Sequence, residues 1–274
     1  MSSPKRFYII TGKGGVGKTA AALALTKRLN SQGKKARYLN YTTSSLSSSK
    51  SDRQEILFAK KMDIPHVALN LLECSQGYVG KKMKSQMIAK WVVKTPFFKA
   101  LMSMLPGFNY LIYLGKTLEL LKEDPELIFI LDSPSSGHAL TMLEATKNFG
   151  EIFQSGLLFE DTQKMIKLLY SENFLQINIL TLPTLMAVNE AIELKKSLAE
   201  IAPSETHIFC NNSFKSMEGV DKLELPPFLR SKLETERLIE EQFGGQIKAF
   251  IKHSLSNQDA QIINDLTPSM DNLA

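Results

Sequence analysis

Short apolar runs alternate with longer segments of helical composition along most of this chain. Strands are predicted for residues 7–10, 36–41, 127–131, 175–182 and 206–210, with a further candidate at 67–72. Helices are predicted for 20–30, most of 76–122, 186–200 and about 229–253, and 42–52 is a polar loop. Because strands and helices alternate, we expect an α/β fold with a mostly parallel, doubly wound sheet.

The chain contains no internal repeat and no linker rich in Pro, Gly or Ser. An apolar content of 43% is enough for a substantial core. We therefore expect one domain over residues 1–255, with a helical insertion at about 73–122. The remaining residues, 256–274, are mostly polar and are expected to form a flexible C-terminal tail.

Net charge and cysteine content indicate which partners and which cellular compartment suit the protein. A net charge of +5 points weakly to an anionic partner, or to a basic surface that keeps the protein soluble, and no nucleic acid is expected. Cys74 and Cys210 form no CxxC pair, which suits a reducing compartment. The early apolar run is too short for a signal peptide, and no run reaches the ~18 residues of a membrane span. A cytoplasmic location is therefore expected.

A glycine-rich loop between the first predicted strand and helix carries the clearest chemistry. Residues 12–19, GKGGVGKT, fit the phosphate-binding pattern G-x-x-x-x-G-K-[ST] at every fixed position. Lys18 would reach the terminal phosphates, and the Thr19 hydroxyl would ligate Mg²⁺. The candidate nucleotide-binding residues of the loop are Gly12, Lys13, Gly14, Gly15, Val16, Gly17, Lys18, Thr19 and Ala20.

An acid closes the apolar strand LIFIL, residues 127–131. Asp132 would lie at the carboxyl end of its strand, where parallel sheets bind ligands. It is therefore a candidate to hold Mg²⁺, directly or through water. The alternative is that Asp132 caps the helix that follows.

The loop and a second motif resemble a known family. GKGGVGKT is similar to the deviant P-loop of the MinD/ArsA class of ATPases, and DSPSSGHAL at 132–140 resembles the switch II signature DAPxTGHxL of its ArsA branch. That branch includes anion-transporting ATPases and ATPases that target tail-anchored proteins. Segments 106–116, 182–194 and 208–211 agree with it, so the resemblance covers about residues 5–215. It implies a P-loop NTPase fold that uses ATP and Mg²⁺.

The resemblance also implies roles for single residues. Lys13 matches the lysine that crosses a dimer interface to the partner's nucleotide, so Lys13 (in trans) and Lys18 are the catalytic candidates. Asn211 matches the residue that contacts the nucleobase, and no guanine signature follows it, which favours ATP. Because the chain has one phosphate loop, a homodimer or a heterodimer with a related ATPase is expected.

The switch II residues implied by the resemblance are Pro134, Gly137 and His138. The histidine could equally be a turn residue without a catalytic role.

Switch I departs from the family. The tail-anchored branch has DPAHSLSD there, and its Asp aligns the attacking water. Here residues 42–49 are seven Ser or Thr and one Leu, and the nearest following acid is Asp52. A hydroxyl is a poor general base, so hydrolysis should be slow or assisted by a partner. Two alternatives remain: a carboxylate elsewhere in the fold substitutes, or the chain is a nucleotide-binding regulatory subunit that does not hydrolyse ATP.

Two metal-related properties of relatives are not expected here. Arsenite-binding members use clustered cysteines, which Cys74 and Cys210 do not form in sequence. The interfacial zinc of the tail-anchored branch needs a CxxC pair that this chain lacks.

The insertion contains a basic, apolar segment at residues 81–105. Met83, Met87, Ile88, Trp91 and Val92 recur at helical spacing, with lysines interspersed. Such a helix could bind an acidic membrane surface or a hydrophobic client helix, or its apolar stripe could pack within the domain or across a dimer.

The sequence thus predicts an ATP-binding, slowly hydrolysing dimeric switch that acts on an unknown protein client. A carrier of hydrophobic segments is an alternative, and a small-molecule kinase is a remote one that the second lysine argues against.

Overall fold

The computed structural model describes residues 5–41, 50–105, 107–134, 136–152, 154–217 and 224–274. The serine-rich segment 42–49, on which the switch I prediction depends, lies outside the described residues, as does Ser135 within the switch II motif.

A parallel sheet forms the centre of the fold. In the described residues it has seven strands in the order β3-β2-β4-β1-β5-β6-β7, and every neighbouring pair is parallel. The strands are β1 (Phe7–Gly12), β2 (Lys35–Tyr41), β3 (His66–Leu69), β4 (Leu127–Asp132), β5 (Leu175–Thr181), β6 (Glu205–Ser213) and β7 (Ile247–Lys252). The expected α/β fold with a doubly wound parallel sheet is confirmed.

Helices cover both faces of this sheet. In the described part of the chain they are α1 (Lys18–Ser31), α2 (Lys50–Lys61), α3 (Leu71–Met83), α4 (Gln86–Val92), α5 (Pro96–Met104), α6 (Phe108–Glu123), α7 (Ser136–Ile152), α8 (Leu157–Leu169), α9 (Leu185–Ile201), α10 (Pro227–Phe243) and α11 (Asp259–Leu266), followed by a 3-10 helix (Thr267–Asn272). None of the described helices is both long and apolar enough to cross a bilayer.

The central strand β1 shows why the pattern predicted the sheet. All six of its residues are buried, and it pairs with β4 on one side and β5 on the other. Tyr8 and Ile10 join the core under α1, whereas Phe7 and Ile9 join the core under α6, α7 and α9. A strand covered on both faces needs a continuous apolar run, which is what residues 7–10 supply.

The segment predicted as a helical insertion lies in four helices, α3 to α6. The break at Pro96 begins α5, and Gly107, with φ of 81°, precedes the first residue of α6. Leu114, Leu118 and Leu121 of α6 are buried against the sheet, so this helix belongs to the core layer. On α4 and α5, by contrast, Met87, Trp91, Phe97 and Met104 are exposed.

One strand prediction and one helix prediction need correction. The candidate strand at 67–72 ends at Leu69, because the Asn70 side chain accepts from the Leu72 and Glu73 amides and starts α3. The helix predicted for 229–253 ends at Phe243, and β7 follows it. β7 follows Gly244 and Gly245, a turn signal, and its sequence IKAFIK is a short apolar run broken by a lysine, which was merged with the helix before it.

The C-terminal residues are packed rather than loose. Ile263, Leu266, Met270 and Leu273 are buried against α1, although the tail was expected to be flexible. These four apolar side chains recur at helical spacing within a polar sequence, which average composition concealed. The Leu273 carbonyl also accepts hydrogen bonds from two buried β5 side chains, those of Gln176 and Asn178.

Candidate functional site

The loop between β1 and α1 depends on glycine at two positions. Gly12 has φ of 141°, and a Cβ there would lie 2.2 Å from the Leu180 carbonyl oxygen of β5. Gly17 precedes α1 with φ of 90°, in the left-handed region that favours glycine. Because Gly17 offers no side-chain cap, the first amides of α1 are available to an anion, and the helix dipole favours negative charge there.

A cleft of about 830 Å³ opens beside this loop, at the carboxyl ends of β2 and β4. This is the edge of a parallel sheet where ligands bind, and the volume is typical of small-molecule sites. Its lining comes from the loop, β2, α2, β4 and α11, and includes Gly15, Gly17, Lys18, Thr19, Ala20, Asn40, Glu55, Asp132 and Pro134.

Thr19 and Asp132 meet in this cleft. The Thr19 hydroxyl donates to Asp132 Oδ2 over 2.6 Å, and the Tyr38 hydroxyl donates to the same oxygen over 2.9 Å. Both bonds tie Asp132 to α1 and β2 rather than to α7. Burial raises the pKa of Asp132, although these hydrogen bonds and the charge of Lys18 oppose the increase.

A threonine hydroxyl and a carboxylate at one point are oxygen donors that could hold Mg²⁺. Among the described residues, no group of three or more His, Cys, Asp or Glu side chains could hold a metal ion. The fit is therefore to an ion that takes its other ligands from phosphate oxygens and water, as Mg²⁺ does in nucleotide sites.

The two lysines of the loop point in different directions. Lys18 is nearly buried, and its Nζ donates to the Lys13 carbonyl oxygen over 2.9 Å. Burial lowers the pKa of Lys18, while the charges of Asp132 and Glu55 act to raise it. The Lys13 side chain is 62% exposed and lies 2.5 Å from Glu190 Oε1 of α9. Lys13 is thus directed away from the cleft that Lys18 lines.

Asn211 locks β6 to the phosphate loop. Its Nδ2 donates to the Val16 carbonyl oxygen over 2.9 Å, and a Cβ on Gly17 would lie 2.5 Å from the same nitrogen. Its Oδ1 is buried and has no hydrogen-bond partner among the described residues. Because buried acceptors are usually satisfied, this oxygen fits a ligand that brings a donor, such as the amino group of adenine.

The switch II residues divide between the cleft and the helix after it. Pro134 lines the cleft, whereas Gly137 and His138 lie in the first turn of α7. The His138 ring lies 5.7 Å from the Tyr110 ring of α6, edge to face. The structure therefore brings His138 against α6, a packing role that the turn alternative allows.

Three polar side chains at the site were not singled out from the sequence. Tyr38 binds Asp132, and Asn40 Nδ2 donates to Glu55 Oε2 over 2.7 Å. Tyr38 and Asn40 lie near the carboxyl end of β2, a position that could have indicated them. Glu55 lies on α2, and no local motif marks it.

The two cysteines are buried on separate elements, Cys74 on α3 and Cys210 on β6. Burial raises the pKa of Cys74 to about 11 and that of Cys210 to about 12. Both thiols are therefore expected to stay protonated at neutral pH.

Comparison with known proteins agrees with this geometry. The chain is 23% identical over 219 residues to the ATPase BagA of Mycobacterium tuberculosis and, to the same extent, to a Mycobacterium bovis protein whose name gives it as a candidate ATPase. Each match covers 72% of this chain and 62% of the relative, so the chain spans less than two thirds of the relatives' length. The family model of anion-transporting ATPases matches residues 5–251. The resemblance inferred from the sequence is confirmed, and this chain belongs to the ArsA ATPase family.

Proposed function

We propose that this chain is an ATP-binding, slowly hydrolysing ATPase that dimerises and acts as a nucleotide-driven switch on a partner protein. The observation that carries the proposal is the meeting of Lys18, Thr19 and Asp132 in one cleft beside the uncapped start of α1. This combination provides an anion site, a cation and a pair of metal-binding oxygens within one opening.

Each part of the site takes one part of the nucleotide in this proposal. The α1 amides and Lys18 bind the phosphates, and the unpaired Oδ1 of Asn211 accepts from the adenine edge. Thr19 and Asp132 hold Mg²⁺, which supplies positive charge against the phosphate oxygens. Lys13, already directed out of its own cleft, contacts the nucleotide of the second protomer.

Slow hydrolysis follows from the composition of residues 42–49. A relative of the tail-anchored branch has a water-aligning Asp in this segment, and here every polar residue is Ser or Thr. A protein that keeps its ATP for many seconds suits a switch, because the bound nucleotide then holds one conformation long enough to engage a partner.

Phosphate release from purified protein tests the proposal. Wild type is expected to release phosphate slowly but measurably, and Lys18→Ala is expected to bind ATP weakly and release none. The Lys18 ammonium is the loop's only buried cation in the described cleft, so its loss removes charge that the phosphates need. Tight ATP binding by wild type without release above the variant would make the chain a non-hydrolysing regulatory subunit.

Exposed apolar side chains on α4 and α5 favour a second candidate function, carriage of hydrophobic segments. Met87 is 84% exposed, Trp91 71%, Phe97 78% and Met104 76%. Met87 and Trp91 are four residues apart on α4 and therefore neighbours on its surface, and contiguous exposed apolar surface often marks a binding site. We propose an apolar helix of a client protein as the occupant, with the surrounding lysines contacting its polar flanks.

Fluorescence of Trp91 tests this second function, because the chain has a single tryptophan. An apolar helical peptide should shift the emission to the blue, more strongly with a non-hydrolysable ATP analogue. Met87→Ser should weaken the peptide's effect without changing ATP binding. A shift with anionic lipid vesicles alone would point to a membrane surface instead, and no shift with any of these would rule out the carrier.

A further inference from the structure

Helix α2 places an acidic side chain, that of Glu55, in the wall of the cleft, whereas the switch I segment contains no acid. Glu55 lines the cleft together with Lys18, Thr19 and Asp132. Glu55 lies in the second turn of α2, the helix that begins immediately after the serine-rich segment. Its side chain therefore reaches the cleft only a few residues after that segment ends. A carboxylate is therefore present at the open end of β2, although not at the position where the family carries one.

Asn40 holds this carboxylate in place. Its Nδ2 donates to Glu55 Oε2 over 2.7 Å, and its side chain also interacts with the Tyr38 hydroxyl. The Tyr38 hydroxyl in turn donates to Asp132. A continuous series of polar contacts thus connects Glu55 to the carboxylate at the metal-binding end of the site, which fixes the spacing of the two acids.

The oxygen of the Asn40 side-chain amide indicates what lies between the two carboxylates, Glu55 and Asp132. Asn40 is almost fully buried, and its Oδ1 has no hydrogen-bond partner among the described residues. An unsatisfied buried acceptor costs about 1–3 kcal/mol, so such an atom usually accepts from a bound water or ligand. Next to a carboxylate, that donor is best supplied by a water molecule, which has two hydrogens to give.

The charge of Glu55 also affects the pKa values of other residues in the site. It acts to raise the pKa of Lys18 and, together with burial and Asp132, the pKa of Tyr38. Both effects reflect a carboxylate that lies close to the residues proposed to bind phosphate. A fully solvated surface acid would be screened from both groups.

We propose that Glu55 is the carboxylate that orients and deprotonates the attacking water, with Asn40 as the residue that positions it. The proposal rests on the ATPase function proposed above. In the step it describes, the water oxygen bonds to the γ-phosphorus, and the bond from that phosphorus to the bridging oxygen breaks. The water proton passes to Glu55, ADP and phosphate leave, and Glu55 returns the proton to solvent.

Single-turnover phosphate release from Glu55→Gln is the first test. Glutamine keeps the shape and the acceptor for Asn40 but has no charge, so release should fall about 100-fold or more. The affinity for ATP should stay within about threefold of wild type, because the phosphate-binding groups are unchanged. Glu55→Asp keeps a carboxylate and should recover part of the rate. Asp52→Asn, one turn earlier on α2, is the matched control and should behave as wild type.

Binding of ADP with aluminium fluoride provides a readout that does not depend on turnover. This complex mimics the transferring phosphoryl group with its in-line water. Wild type should hold ADP at least tenfold more tightly when the fluoride complex is present. Glu55→Gln should lose most of this gain while binding ADP alone as wild type does, which a merely structural change would not produce.

Several outcomes would overturn the proposal, and they are distinguishable from failure of the ATPase function. Equal release and equal fluoride gain in wild type and Glu55→Gln would leave an ATPase without a role for Glu55. Loss confined to Asp52→Asn would assign the role to that acid. A higher Mg²⁺ requirement for nucleotide binding in Glu55→Gln would place Glu55 on the metal. Wild-type phosphate release no higher than that of Lys18→Ala would instead refute the proposed ATPase function. If aluminium fluoride gave wild type no gain in affinity for ADP, both the ATPase function and the role of Glu55 would be refuted.

Discussion

Gly17 lies between the phosphate loop and Asn211, and its backbone and its surroundings both exclude a side chain. Its φ of 90° costs an L-residue about 1–2 kcal/mol, and a Cβ would lie 2.5 Å from Asn211 Nδ2. The Asn211 amide could avoid a methyl group only by giving up its bond to the Val16 carbonyl. One small substitution therefore disturbs the loop and the proposed adenine contact together.

We predict that Gly17→Ala lowers the thermal midpoint and abolishes ATP binding. Each kcal/mol lost shifts the midpoint by roughly 2–4 °C in a domain of this size. Gly14→Ala is the control, since Gly14 is not in the left-handed region and its Cβ would meet no atom within 4 Å. Differential scanning fluorimetry should give a midpoint near that of wild type for the control alone. Equal midpoints for the two variants would contradict the prediction.

Residues of the site were predictable from sequence where the chemistry is contiguous. The loop from Gly12 to Thr19 is a single motif, and Asp132 follows an apolar strand, so each can be identified from the local sequence. Tyr38, Asn40 and Glu55 enter the site only because β2 lies beside β4 and α2 lines the same cleft. No spacing within the sequence encodes that approach, and the proposed substitute for the missing acid was therefore not identifiable beforehand.

At the scale of elements, the C-terminal segment completes the core beneath α1. Met270 and Leu273 are fully buried there, and the Arg28 guanidinium of α1 donates two hydrogen bonds, one to each carboxylate oxygen of Asp271. The Leu273 carbonyl oxygen accepts hydrogen bonds from two side-chain amides of β5, Gln176 Nε2 and Asn178 Nδ2. Removing the segment would expose apolar surface and take one acceptor from each of these two buried amides.

We predict that Met270→Ala destabilises the protein by about 2–5 kcal/mol, the usual cost of emptying a buried methionine site. Leu255→Ala is the matched control, because Leu255 belongs to the same stretch of chain but is largely exposed. Its effect should stay within about 0.5 kcal/mol. Urea unfolding measures both. Similar midpoints for Met270→Ala and wild type would mean that the segment contributes little to the core.

The same segment shows where element prediction fails. The four buried apolar side chains lie among nineteen mostly polar residues and were therefore overlooked, and their burial depends on packing against α1. β7 was missed for a related reason, since a six-residue strand directly after a long amphipathic helix shares its charged composition. The strands β1 and β4 were predicted because all their residues are buried and each contains a continuous run of four or five apolar residues. β5 is also buried throughout and was predicted from its apolar residues, although Gln176 and Asn178 interrupt them.

At the scale of the whole molecule, the position of Lys13 bears on assembly. Its ion pair with Glu190 is exposed, and such pairs contribute only about 0–1 kcal/mol, so little opposes its transfer to another anion. A phosphate brought by a second copy of the chain would be such an anion. In the proposed dimer, the lysine leaves α9 and joins the two nucleotide sites.

We predict that Lys13→Ala binds ATP with near wild-type affinity as a monomer but no longer dimerises. Light scattering with a non-hydrolysable ATP analogue should show the dimer mass for wild type only. Lys34→Ala, at an exposed lysine beyond the far end of α1, should dimerise normally. Wild type that stays monomeric with and without the analogue would remove the role proposed for Lys13.

The central place of β1 has a consequence for how the chain is made. β1 is translated before the other described strands, yet its partners are residues 129–132 and 175–180. At typical synthesis rates of about 5–20 residues per second, roughly 10–30 s pass before the second partner is translated. During that interval the edges of an apolar strand stay unpaired and open to other nascent chains, so we expect this chain to need shielding by a chaperone until β5 has been made.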